Sequence, residues 1–385
     1  MLSSEPLGRY VCRTIARACD VLDAFREAGD ALRLKEVAAK TGLSVATTFR
    51  ILFTLEQRGI IARVGDRQYQ LNIKFPKRRK YRIGYAGQSQ EFAFSRTVAE
   101  AVTEAAAKAE IDLVVLDNRY SPKAALRNVE TFVRERVELV IEFQTDEHVA
   151  PIISSRLLEA NIPIVALEIP HPGAVFYGAN NYGAGVMGGR FLGRWAKQHW
   201  DGNVDEVLLL ELPMAGALPR SRLTGTLAGI REILPSLEDS HVLWLDGHGQ
   251  FAGSLEAVRK HLRHSRSGQV LIGAINDPSA LGALRAFEEA GRAESCAVMG
   301  QNAALEARAE LRRPESRLIG SVAYFPERYG EEVMALCLNI LQRKPVPPAV
   351  FVKHQLATKE NVDRLYPNDA LISSGGLELL LLKSR

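Results

Sequence analysis

Only four cysteines occur in 385 residues, and Cys12, Cys19, Cys296 and Cys337 form neither a CxxC pair nor a dense framework. A disulfide-built fold is thereby excluded, and the setting is read as reducing and cytoplasmic, with the thiols acting as small buried hydrophobes. No GxSxG, Walker A or HExxH stretch is present, nor a paired Cys and His arrangement. The chain is therefore expected to be no enzyme and to carry no cofactor or metal. No apolar run approaches the roughly 20 residues that cross a bilayer. Charges also break every apolar run of MLSSEPLGRYVCRTIARACD, which lacks the apolar core of an export signal.

Net charge is small overall, at +4, but it is unevenly spread. Residues 1–80 hold 16 Lys and Arg against 8 Asp and Glu, whereas the remainder holds 33 against 37. A basic segment on a near-neutral body is the charge footprint of a nucleic-acid reader. Length argues for two or three folded units.

Within the basic segment, CRTIARACDVLDAFRE places Ile15, Cys19, Leu22 and Phe25 on one helical stripe, ended by Gly29. A second helix runs from about Leu34 to Lys40, Thr41-Gly42-Leu43 forms a tight turn, and Ser44 N-caps a third helix reaching about Arg58. IIARV and QYQLN, joined by Gly65-Asp66-Arg67, then make a hairpin wing. On the third helix Phe49, Leu52 and Leu55 form the packing stripe. Ser44, Thr47, Thr48 and Arg50 face base edges and phosphates, with Lys35 and the wing-tip Arg67 on the backbone. A small helical packing domain is the alternative. ACDVLDAF and LKEVAAKTGLSVATTFRILFTLEQRG resemble the N-terminal domain of the isocitrate-lyase-regulator (IclR) family of bacterial repressors. The resemblance covers residues 1–72 and implies a winged helix-turn-helix that binds double-stranded operator DNA.

Residues 73–81, IKFPKRRKY, read as a basic linker whose Lys77 to Lys80 run would order on DNA. From residue 82 strand and helix alternate twice over, first as RIGYAG, DLVVLD, LVIEF and IPIVALE, then as VLLLEL, HVLWLD, VLIGAIND, CAVMGQN and LIGSVAYF. That rhythm predicts α/β architecture with two parallel sheets and a cleft between two lobes. Lobe 1 would take about 82–180 and 325–355, and lobe 2 about 181–324 with part of a tail. The tail contains the strand AVFVKHQLAT and the apolar LELLLL, a final strand or a dimer-packing segment.

EIDLVVLD, ANIPIVALE, GANNYGAGVMGG, RSRLTGTLAGI, INDPSALGALRAFEEAG and SVAYFPERYG, in that order, resemble the type-1 periplasmic sugar-binding fold of ribose-binding proteins and lactose-repressor effector domains. The resemblance covers about residues 82–355 and implies a ligand between the lobes. It assigns Glu168 as hydroxyl acceptor, Arg220 as donor, Asn276 and Asn302 at strand ends, Tyr324 at the hinge, Asn180 at the crossover, and Phe92 or Phe94 as the covering ring. Ile169 and Asn302 depart from the family's Arg and Asp. A buried carboxylate, a guanidinium and amides can together satisfy a polyol while a ring packs its C–H face. Each residue also has a plainer role: Asn276 and Asn302 as helix caps, Arg220 as a surface charge, Phe92 and Phe94 as core.

Gly183 to Gly188 fits GxGxxG after a strand, with Glu211 downstream, which admits a dinucleotide site. Its place at a lobe crossover favours close helix packing instead. His261 and His264 lack a third metal ligand. The sequence is thus read as a cytoplasmic, homodimeric regulator whose operator affinity a small polar metabolite controls. A solute-binding transporter component and a nicotinamide-dependent oxidoreductase are the alternatives.

Overall fold

The computed structural model describes residues 12–28, 31–65, 67–72 and 80–369. Gly29, Asp66, most of the basic linker and the LELLLL tail lie outside these. The chain divides into two compact units, Met1–Arg79 and Lys80–Arg385.

In the first unit, helix α1 (Arg13–Ala28) precedes β1 (Leu32–Arg33), α2 (Leu34–Thr41), α3 (Val45–Gln57), β2 (Ile61–Val64) and β3 (Gln68–Leu71). The Gly42 backbone turns at φ +66°, a conformation glycine adopts without Cβ strain. Ser44 then caps α3, its Oγ accepting from Thr47 N–H at 3.2 Å. β3 pairs antiparallel with β2 and β1, giving a three-stranded wing sheet. The core gathers Val21, Phe25, Val37, Leu52, Leu55, Ile61 and Tyr69. The buried stripe on α1 differs from the expected one. Val21, Ala24 and Phe25 are buried, whereas Ile15, Cys12 and Cys19 are exposed. The first two turns of α1 contribute nothing to this core, so the thiols there are not packing groups. Cys296 and Cys337 are buried as expected.

The second unit opens with β4 (Arg82–Gly87), α4 (Ala93–Lys108), β5 (Asp112–Asp117), α5 (Pro122–Arg134), β6 (Leu139–Glu142), α6 (Ala150–Glu159), β7 (Ile164–Leu167) and β8 (Val175–Ala179). It continues through α7 (Asn181–His199), β9 (Glu206–Glu211), α8 (Ala217–Ile233), β10 (Val242–Asp246), α9 (Phe251–Leu262), β11 (Val270–Ala274), α10 (Asp277–Glu289) and β12 (Cys296–Asn302). Last come α11 (Leu305–Leu311), β13 (Leu318–Ala323), α12 (Tyr329–Leu341), β14 (Ala349–Val352), β15 (Gln355–Ala357) and α13 (Val362–Leu365). These strands build two sheets, ordered β14-β8-β7-β6-β4-β5 and β10-β9-β11-β12-β13-β15. Every pairing in them is parallel except β13 with β15.

Helices cover both faces of each sheet, which is why strands such as β9 read as unbroken apolar runs. In lobe 1, α4 and α12 close one face through Val98, Val102 and Val333, and α5 and α6 close the other through Phe132, Ile153 and Leu157. In lobe 2, Leu192, Leu223 and Ile230 of α7 and α8 face Val258 and Phe287 of α9 and α10 across the sheet. The chain passes between lobes three times, after β8, after β13 and after β14. The single C-terminal strand expected at AVFVKHQLAT is therefore two, split at Lys353-His354, with one half in each sheet.

The glycine-rich stretch belongs to helix packing. A Cβ at Gly185 or Gly189 would fall on the backbone carbonyls of Arg222 and Thr226, and one at Gly225 or Gly229 on those of Tyr182 and Val186. α7 and α8 meet backbone to backbone there, with no room for a phosphate. His261 is likewise occupied, its Nε2 lying 2.8 Å from Glu206 Oε2.

Candidate functional site

On the first unit the reading helix presents a different face from the one expected. Thr48 is fully buried and its Oγ1 donates to Ser44 O at 3.0 Å, so it is unavailable to DNA, while Phe49 is 44% exposed and is not core. A helix advances about 100° per residue, and the buried face centred on Leu52 takes in Thr48 four positions before it, leaving Phe49 outside. Lys35, Ser44, Arg50 and Arg67 are exposed and Thr47 is half-buried.

On the second unit a cavity of about 370 Å³ lies between the lobes. Of the anticipated residues, Phe92, Phe94, Glu168, Asn276 and Asn302 line it, whereas Asn180, Arg220 and Tyr324 do not. Glu168 follows β7 with φ +62° and is 8% exposed. Its Oε1 accepts from Tyr329 Oη at 2.6 Å, and its Oε2 lies 3.5 Å from Arg222 Nη2. Burial raises the Glu168 pKa, and Arg222 and Tyr329 oppose that rise.

Arg222, not Arg220, is the cleft guanidinium. Its Nε donates to Asn181 Oδ1 at 2.8 Å, its Nη1 to Ile275 O at 2.7 Å, and it stacks 4.9 Å over the Tyr324 ring. Two positions along a helix amount to about 200° of rotation. Arg220 accordingly points the other way, donating to Glu211 Oε2 at 3.1 Å and covering Trp244 at 4.6 Å. Tyr324 lies beneath Arg222, and its Oη donates to Gln301 Oε1 at 2.9 Å. Asn180 caps α7, accepting from Gly183 N–H, and its own N–H donates to His354 Nε2 at 3.1 Å. It belongs to the crossover rather than the cavity.

Asn276 fills both of its readings. Its Oδ1 caps α10 at Ser279 N–H, its Nδ2 donates to Gly249 O at 2.8 Å, and it still borders the cavity. Asp277, beside it, was not anticipated. Fully buried, it accepts from Ser321 Oγ and Ala304 N–H, each at 2.6 Å, and burial pushes it up to about 7. Phe92 packs edge-on against Tyr120 with centroids 5.2 Å apart, and Phe94 meets Tyr329 at 5.8 Å. These rings give the cavity an apolar part of its lining beside the polar strand-end residues. Arg222 is the one cation among the lining residues, against Glu91, Glu168, Asp277 and Glu306.

The lobes also touch beside the cavity. Glu147 N–H, in the loop after β6, donates to Met214 O at 2.9 Å in the loop after β9. The Glu147 carboxylate rests where a Cβ of Gly216 would sit, at the N-terminus of α8.

The model of the periplasmic binding protein domain matches residues 83–345, most of the chain. The chain belongs to that family. An IclR helix-turn-helix domain matches residues 14–65. No curated protein matches the chain.

Among solved structures, the periplasmic-binding-protein lobes are similar to an ABC transporter periplasmic solute binding protein from Actinobacillus succinogenes with bound D-allose. That likeness has 18% identity and TM-score 0.65, and covers 74% of this chain and 100% of the other. A solute binding protein from Mycobacterium smegmatis with bound glycerol shares 18% identity at TM-score 0.66, over 74% and 96% of the two chains. One from Bacillus halodurans with bound myo-inositol shares 20% at TM-score 0.62, over 74% and 97%. Among the described residues no helix is long and apolar enough to cross a membrane.

Arg222 was recoverable from the sequence of this periplasmic-binding-protein domain. It continues the small-residue stripe Arg222, Gly225, Thr226, Gly229 at helical spacing, all buried, which Arg220 does not share. Asp277 and Tyr120 carry no comparable local signal.

Proposed function

We propose that the chain is a DNA-binding transcription regulator whose operator affinity is set by a neutral sugar or polyol held between the lobes. The observation that carries this is the union, in one chain, of an IclR helix-turn-helix domain with periplasmic-binding-protein lobes enclosing a cavity of about 370 Å³. A solute carrier for a transporter would account for the lobes alone and leaves the reader without a use.

The cleft chemistry supports a neutral ligand. Its only lining cation is already bonded to Asn181, Ile275 and Glu168, so no free positive charge greets a sugar acid or phosphate. A lining that combines polar strand-end residues with the Phe92 and Phe94 rings suits a ring bearing hydroxyls on its edge and C–H groups on its faces. The solved relatives hold D-allose, glycerol and myo-inositol. Lys35, Ser44, Thr47, Arg50 and Arg67 are assigned to DNA, Phe92, Phe94, Glu168, Arg222, Asn276 and Asn302 to the ligand, and a homodimer to two operator half-sites. Binding transmits a signal only through different affinities for open and closed lobes, with coupling of about 1–3 kcal/mol.

A thermal-shift screen of sugars and polyols, followed by mobility shift on neighbouring promoter DNA with and without the best hit, tests the reading. The expected result is a ligand that raises Tm and changes DNA affinity about 5- to 150-fold. A ligand that binds tightly and leaves DNA affinity unchanged sinks the regulator.

A further inference from the structure

Helix α3 exposes an apolar stripe that core packing does not explain. Val45, Phe49 and Phe53, spaced four apart on one side of the helix, are 48%, 44% and 51% exposed, and the two rings stack with centroids 6.2 Å apart. The hydroxyls beside them are already engaged. Ser44 Oγ caps the helix and lies 2.9 Å from Thr47 Oγ1, Thr48 is buried, and Thr54 Oγ1 donates to Arg50 O at 2.8 Å. Beyond the mutually bonded Ser44 and Thr47 hydroxyls at its start, the helix therefore offers an incoming surface one exposed cation, Arg50, and a hydrocarbon ridge.

Resting on the DNA-reading assignment above, we infer that Val45, Phe49 and Phe53 read thymine 5-methyl groups in the major groove. The thymine methyl is the apolar feature that the major-groove edges of the bases present, and aromatic or small apolar side chains are its complement. Eight residues of helix rise about 12 Å, which matches three to four base steps of about 3.4 Å each. A second copy of the chain fits this stripe poorly. Three side chains fall well short of the roughly 800 Å² per partner that a stable interface buries. The first 80 residues also carry 16 basic against 8 acidic side chains, which repels a like surface and attracts a duplex.

The test uses the full chain and a duplex selected by it from a random library, resynthesised with uracil in place of thymine. Uracil keeps the base pair and removes only the methyl. Each contacted methyl lost is expected to weaken binding roughly fourfold, the worth of one buried methyl group. Phe49→Ala should weaken the thymine duplex similarly, make uracil substitution silent beneath its side chain, and leave the salt slope unchanged. Arg50→Ala should lower that slope by about one. Because Phe49 and Phe53 are half-exposed, their truncation leaves the core intact, which circular dichroism and an unchanged melting point would verify.

A selected duplex that binds equally with thymine or uracil overturns the inference while leaving DNA binding in place. So does a change of oligomeric state in Phe49→Ala or Phe53→Ala on size-exclusion chromatography, which would make the ridge a chain-to-chain face. Failure to select or retain any duplex at low salt overturns the DNA-reading assignment itself.

Discussion

Two arginines two positions apart illustrate how helical phase decides which side chain enters the cleft. Arg222 is 7% exposed and faces the buried Glu168 carboxylate, whereas the Arg220 side chain is 52% exposed and pairs with Glu211. Removing one partner of a buried pair strands the other charge, at a cost of about 3–5 kcal/mol. Arg222→Ala is expected to lower urea stability by that order and to abolish ligand-induced stabilisation. Arg220→Ala should cost at most about 1 kcal/mol, the range of an exposed pair. Equal losses in the two variants would contradict the assignment.

Buried acids and imidazoles give a second, pH-dependent expectation. Burial pushes Glu142 up to about 8 and Asp277 up to about 7, and pushes His171 and His354 down to about 4. An acid kept neutral in the fold binds its proton more tightly than in the unfolded chain, so stability falls as pH rises from the ordinary carboxyl value to the raised one. An imidazole kept neutral does the reverse, and stability rises from about pH 4 to about pH 6.5. The two trends oppose each other below pH 6.5. Above it only the acids remain, so stability should fall by about 2 kcal/mol between pH 6.5 and pH 8, mainly through Glu142. Glu142→Gln keeps a group that Asn118 can still donate to at the site of the present 2.7 Å bond, and should flatten that limb of a melting-versus-pH curve. An unchanged slope would assign the fall elsewhere.

The α7 and α8 pair shows what the elements demanded of the sequence. Gly189→Ala places a methyl group on the Thr226 carbonyl, and overpacking of this kind costs about 1–3 kcal/mol. Urea denaturation should show that loss, whereas Gly291→Ala, where a Cβ meets open space but φ is +65°, reports backbone strain alone. The three helices and two hairpin strands of the reader were legible because period and capping are local properties, though the two-residue β1 was too short to show: Ser44 caps α3, and in the second unit the apolar runs from Val207 to Leu210 and from Val270 to Ala274 are strands. The cavity lining was only partly legible. Glu168, Asn276 and Asn302 lie at strand ends, where the chain order itself locates them. Which arginine turns inward, and whether Phe49 packs or protrudes, depends on rotation of a helix against neighbours distant in sequence. β8 was legible only as the strand ahead of Gly183, without bounds, because Val175–Ala179 is short and flanked by Gly173 and the crossover at Asn180.

Beside the cavity the loop carrying Glu147 reaches from one lobe to the other. The Glu147 carboxylate lies against the N-terminus of α8, where a negative charge is worth about 0.3–1 kcal/mol, and its N–H bond to Met214 O ties the same loop across. Glu147→Ala should shift the lobes toward the open form and weaken ligand binding about two- to fivefold, a factor that follows directly from that energy range. Small-angle scattering would register a larger radius of gyration before ligand and the same radius after it. An unchanged apo radius and affinity would show the contact to be passive.

The last crossing between lobes also sets an order of assembly. β14 completes the first sheet and β15 the second, so the first lacks its full set of strands until residue 352 has left the ribosome and the second until residue 357. The reading unit, by contrast, is made before residue 80 and can fold early. During synthesis the chain thus acquires its helix-turn-helix unit well before its periplasmic-binding-protein lobes are finished.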